Sequence, residues 1–92
     1  MSKIDKQIIV ANKKGLHARP AALFVQLVSK HNVNVTVRCN GQEVNGKSIM
    51  GLLTLGAQAG VLLDLSVEGD GAEVAMADFE KFFASQEEDL IK

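Results

Sequence analysis

His17, with Arg19 two residues on, sits in the hexapeptide Gly15-Leu16-His17-Ala18-Arg19-Pro20, the stretch of this chain whose residue types could do chemistry. Proline is welcome in a helix's first turn, where its missing N–H costs no hydrogen bond, so Pro20 marks a helix start and places His17 at or just before the N-cap. The backbone amides of Ala18 and Arg19 then lack intrahelical partners and, with the roughly half positive charge of the helix end, form a phosphate-binding backbone. Arg19 adds a guanidinium fork shaped for phosphate oxygens. An imidazole lone pair at this point can accept a phosphoryl group, whose negative oxygens would face those donors. The plainer alternative is a histidine that merely caps the helix or decorates the surface. His31, at the far end of the same helix, reads as a favourable C-terminal histidine.

A second constellation is Gly46-Lys47-Ser48-Ile49-Met50-Gly51. Ser48 precedes a short apolar helix and is placed to cap its free amides. A phosphorylated Ser48 would lay a nearly doubly negative group on that helix end, so the fold should tolerate it while the surrounding surface changes sign. The helix carries Ile49, Met50, Leu52, Leu53 and Leu55, more apolar side chains than a narrow inward stripe can hide. An exposed patch beside a reactive histidine suits protein docking, with Met adaptable to several partners.

The elements that must position these groups follow from periodicity. Lys6–Ala11 alternates as a strand and runs into the turn-like Asn12-Lys13-Lys14-Gly15. From Ala18 to Lys30, Ala21, Phe24, Leu27 and Val28 fall at helical spacing, closing near His31-Asn32. Val33–Asn40 alternates, with Val33, Val35, Val37 and Cys39 inward, and Asn40-Gly41 is a hairpin dipeptide that returns Gln42–Asn45 as a partner strand. Ser48–Leu55 is the short helix, stopped by Gly56 and Gly60; Leu62–Glu68 restores period two with Asp64, Ser66 and Glu68 outward. Ala72, Ala75, Met76, Phe79, Phe82 and Phe83 stripe a last helix. The order βαββαβα predicts an α+β open-faced two-layer sandwich: a four-stranded antiparallel sheet with three helices on one face, Thr36, Arg38, Asp64 and Glu68 facing water on the other.

Composition bounds the possibilities. Ninety-two residues with 47% hydrophobic content suit one domain with one core. A single cysteine forms no internal disulfide, and Cys39 with two separated histidines lacks metal-ligand spacing, so no metal and no cofactor is expected. Cys39 reads as a buried structural thiol. Met1–Lys6 carries no apolar signal region, and the uncharged stretch Ser48–Leu63 is short and interrupted by glycines, so a cytoplasmic protein with no membrane insertion is expected. Residues 1–47 hold eight Lys or Arg against two acids, and residues 48–92 two Lys against nine acids. That split could polarise one face or could mingle in space. The scattered basic residues and an aromatic set of four Phe argue against nucleic acid.

With both motifs in view, the sequence resembles the HPr family, the histidine-containing phosphocarriers of the bacterial phosphoenolpyruvate-dependent sugar phosphotransferase system. Gly15–Pro20 matches the family's active-site motif and Asn45–Gly56 its serine-site motif, and the likeness runs from about Lys6 to Ala84. The resemblance implies a carrier rather than an enzyme: His17 receives a phosphoryl group on Nδ1 from phosphorylated enzyme I and passes it to enzyme IIA domains, with Arg19 assisting. It implies a docking surface of Ala18, Pro20, Phe24, Ile49, Met50 and Leu53, and makes Ser48 the target of an HPr kinase/phosphorylase. Gln26 and Ser29 stand where some members are basic, and Glu87-Glu88-Asp89 reads as a solvated acidic tail. A carrier of the nitrogen-related branch and a regulatory module acting through Ser48 are the competing readings, and a monomer suffices for all three.

Overall fold

The structure, a computed structural model, describes residues 2–10, 15–58 and 60–84. Among these residues four strands and three helices follow in the order β1 (Ser2–Ile9), α1 (Ala18–Ser29), β2 (Val33–Cys39), β3 (Gln42–Asn45), α2 (Ile49–Leu55), β4 (Leu62–Gly69) and α3 (Ala72–Ala84). The strands form one antiparallel sheet in the order β1-β4-β2-β3, the expected α+β architecture.

The alternation of β2 and β4 builds the core directly. Val33, Val35, Val37 and Cys39 are buried on the helix side of β2, and Leu63, Leu65 and Val67 on that of β4. Three helices close over this face. Phe24 of α1 meets Phe79 of α3 edge-on at 5.3 Å between ring centroids and 66° between planes, and Phe83 packs at 5.2 Å. Such aromatic contacts add to the area that each ring removes from water. Phe82, expected in the same stripe, is half-buried and touches both Phe24 and Phe83. The β2–β3 turn takes positive φ at Asn40 (51°) and Gly41 (82°), the conformation that makes Asn-Gly a hairpin signal.

Three features depart from the sequence reading. β1 begins at Ser2 rather than Lys6, because Ser2 pairs with Gly69 and the whole of β4 templates the strand. Pairing, not propensity, makes the polar Ser2–Asp5 segment a strand. α1 ends at Ser29 with Lys30 as its cap, short of His31-Asn32. Ser66, expected to face water, lies on the open side yet is buried, since Arg38 Nη2 donates to its hydroxyl at 3.0 Å and that hydroxyl in turn donates to Asp5 Oδ1. Asn12–Lys14 and the acidic Glu87-Glu88-Asp89 lie outside the described residues.

Lys6 reaches Glu80 at 3.1 Å, joining the two halves of the sequence, while Arg38 lies 3.8 Å from Glu43 within the first half. No helix among the described residues is long and apolar enough to cross a membrane.

Candidate functional site

The site forms where the chain enters α1. His17 is the N-cap residue, in extended backbone (φ −111°, ψ −165°), and its carbonyl accepts the first helical bond from the Ala21 amide at 2.9 Å. Its side chain makes no capping bond. That removes the capping alternative: the imidazole does not satisfy the first-turn amides, and Pro20, third in the helix, has none to satisfy. Ala18 and Arg19 therefore present amides that the helix itself cannot pair. Both residues are exposed, and the Arg19 side chain enters no ion pair or hydrogen bond among the described residues.

The imidazole is partly covered, and coverage is uneven. Nε2 is buried with no hydrogen-bond partner, while the residue as a whole keeps some exposure. With Nε2 covered, a ring nitrogen open to a partner can only be Nδ1. Among the described residues no side-chain hydrogen bond holds the ring, so its direction is set by the backbone that carries it and by packing.

Ser48 is the N-cap of α2, and its hydroxyl accepts from the Gly51 amide at 2.9 Å, as its place before the apolar run predicts. α2 ends at Gly56 in the left-handed conformation. Of its apolar residues, Leu52 and Leu55 are buried, Leu53 is half-buried, and Ile49 and Met50 are exposed, Met50 to 72%. The surplus of apolar side chains does surface as a patch.

Two of the expected docking residues do not lie in it. Phe24 is fully buried, because the inward stripe of α1 is Ala21, Phe24 and Val28, and its ring fills the space between α1 and α3. Pro20 is also buried. In their place α1 exposes Leu23, which sits one turn after Arg19 on the same side of the helix. The signal for Leu23 was present: it falls about 100° off the stripe defined by Ala21, Phe24 and Val28. His31 is likewise more than a terminal histidine, since its Nε2 meets Asp78 Oδ2 of α3 at 2.8 Å and its ring stands edge-on to Phe79. Among the described residues no cluster of His, Cys, Asp or Glu could hold a metal ion, and Cys39 is buried.

An uncapped helix end beside an imidazole has the chemistry to receive an anion. A family model described as the PTS HPr component phosphorylation site matches residues 4–85. This chain belongs to the HPr family. The phosphocarrier protein HPr of Xylella fastidiosa is 39% identical over 83 residues, covering 90% of this chain and 93% of that protein. The HPr-like protein Crh of Halalkalibacterium halodurans is 42% identical over 73 residues, 79% of this chain and 87% of its own. Among solved structures, the HPr of Bacillus anthracis superposes with a TM-score of 0.85 at 35% identity, covering 90% of this chain and 99% of that one. An HPr dimer from Thermoanaerobacter tengcongensis gives a TM-score of 0.61 at 48% identity, covering 82% and 92%. The HPr fold and the phosphotransferase system are therefore the setting in which His17 and Ser48 are to be understood.

Proposed function

We propose that this HPr-family phosphocarrier takes a phosphoryl group on His17 from phosphorylated enzyme I and hands it to enzyme IIA domains during sugar uptake. The carrying observation is the uncapped N-terminus of α1, where the imidazole has one buried, unpartnered nitrogen and makes no bond to the first-turn amides. In the forward step the Nδ1 lone pair forms the N–P bond as the bond from phosphorus to the donor breaks and the donor keeps that electron pair. The Ala18 and Arg19 amides and the Arg19 guanidinium then face the phosphoryl oxygens, which lowers the cost of holding their charge. The reverse geometry serves the onward transfer to enzyme IIA. The protein returns to its starting state with no small-molecule product of its own, works as a monomer in the cytoplasm, and needs no cofactor.

Docking is through Ala18 and Leu53 with the exposed Ile49 and Met50, and Leu23 joins them. Ser48 is a regulatory phosphorylation site for an HPr kinase/phosphorylase, which its position at the α2 N-terminus supports. A mainly regulatory role through Ser48 is the second reading, favoured by the likeness to the Bacillus subtilis protein described as Crh, the catabolite repression HPr.

Incubation with phosphoenolpyruvate, enzyme I and Mg²⁺ tests the first reading. The expected product is an acid-labile, alkali-stable adduct that disappears in His17→Ala; an adduct persisting in that variant refutes the assignment. Sedimentation of the same sample checks the monomer.

A further inference from the structure

Among the described residues no hydrogen bond orients the His17 side chain. Its ring must therefore inherit its position from the main chain, and that main chain is held on both sides. Downstream, the His17 carbonyl is locked into α1 by the Ala21 amide. Upstream, the Leu16 amide donates to the Ala57 carbonyl at 2.7 Å, a contact buried on both residues, and the His17 amide donates to the Gly15 carbonyl at 3.1 Å.

Gly15 makes that upstream contact possible. Its φ is +76°, and a Cβ there would stand 2.5 Å from the Ala57 oxygen and 2.9 Å from Gln58 Cα, so the two backbones touch with no room for a methyl group. Ala57 follows Gly56, the left-handed cap of α2. The end of α2 and the entry to α1 are thus joined by a direct backbone clasp.

We infer that Gly15 and Ala57 are positioning residues for phosphoryl transfer: their close approach, with the Leu16–Ala57 hydrogen bond, sets where the His17 imidazole stands relative to the Ala18 and Arg19 amides. The inference rests on the phosphocarrier reading. It separates two properties of the site. The docking patch on α2 and α1 governs binding of enzyme I, whereas the clasp governs the geometry of transfer after binding.

The test uses the full chain and Gly15→Ala, with Gly41→Ala as control. Gly41 has an equally positive φ of +82° but nothing within 4 Å of an added Cβ, so it reproduces the backbone strain without the collision. With phosphorylated enzyme I as donor, Gly15→Ala is expected to lower kcat for phosphoryl acceptance about 10- to 100-fold, the scale of a small misplacement of reacting groups. KM should stay within about threefold, and kcat of Gly41→Ala should be unchanged. The His17 ring resonances should move in Gly15→Ala and stay in Gly41→Ala. A chain made by semisynthesis with an ester in place of the Leu16 amide removes the donor without adding bulk, and it decides the matter if Gly15→Ala does not fold. An unchanged kcat in whichever of the two folds, or a rise in KM alone, overturns the proposal. If the unsubstituted chain takes nothing from enzyme I, the phosphocarrier reading fails by itself, and unmoved His17 ring resonances in the variant overturn the positioning role separately.

Discussion

A helix whose N-cap side chain leaves its own amides unpaired forgoes stability, because Ser, Thr, Asn or Asp at that position would accept one of those N–H groups. His17 is such a residue. Replacing it by Ser should raise stability by about 0.5–1 kcal/mol while abolishing phosphoryl acceptance, read by denaturant melts and the adduct assay. Ser48 has the opposite balance, since its hydroxyl already caps α2 through Gly51. Ser48→Ala should therefore cost about 1 kcal/mol in the same melts, remove ATP-dependent modification by a cognate kinase, and leave His17 phosphorylation in place. A Ser48→Ala chain as stable as the parent would show that the capping bond contributes nothing. The two N-caps differ in that the Ser48 hydroxyl accepts an amide of its own helix while the His17 side chain accepts none.

At the scale of elements, the helices divide their apolar residues between core and patch, and the division sets what each substitution does. Phe24 belongs to the core, in contact with the rings of Phe79, Phe82 and Phe83, so Phe24→Ala should cost about 3–5 kcal/mol in thermal or denaturant unfolding. Met50 belongs to the patch, and Met50→Glu should shift stability by no more than about 0.5 kcal/mol while weakening enzyme I or enzyme IIA binding. Leu23→Glu should behave like Met50→Glu, and calorimetric titration distinguishes either from Phe24→Ala. Binding unchanged by Met50→Glu would remove α2 from the docking surface. Legibility followed the same line. Periodicity located α1 and α2 to within a residue or two, yet assigning a face needs to know what lies on each side. The Ala21-Phe24-Val28 spacing alone pointed inward, against the docking role that resemblance attached to Phe24.

For the whole molecule, long-range pairs tie the two halves of the sequence together. Lys6 and Glu80 join β1 to α3, Asp5, Ser66 and Arg38 link three strands across the open face, and His31 and Asp78 fasten the end of α1 to α3. His31 stands at the opposite end of α1 from His17, about 18 Å away along a twelve-residue helix. His31→Ala should thus cost about 1 kcal/mol of stability and leave the rate of phosphoryl acceptance unchanged. A slowed transfer in a stable His31→Ala chain would show coupling along α1. One ion pair, Lys6 with Glu80, joins the basic first half of the sequence to its acidic second half.

What the amino-acid order determined by itself was local: the alternation that buries Val35, Val37, Leu63 and Leu65, the Asn40-Gly41 turn, the Ser48 cap, and a histidine placed at a helix start by the Pro20 that follows it. Each depends on dihedral preference or on a repeat within a few residues, which neighbours in sequence suffice to specify. Tertiary structure alone decided that β1 extends to Ser2, that His31 finds Asp78, and that Gly15 lies against Ala57. Those outcomes join residues tens of positions apart, and the closeness of two backbones leaves no trace in the periodicity of either.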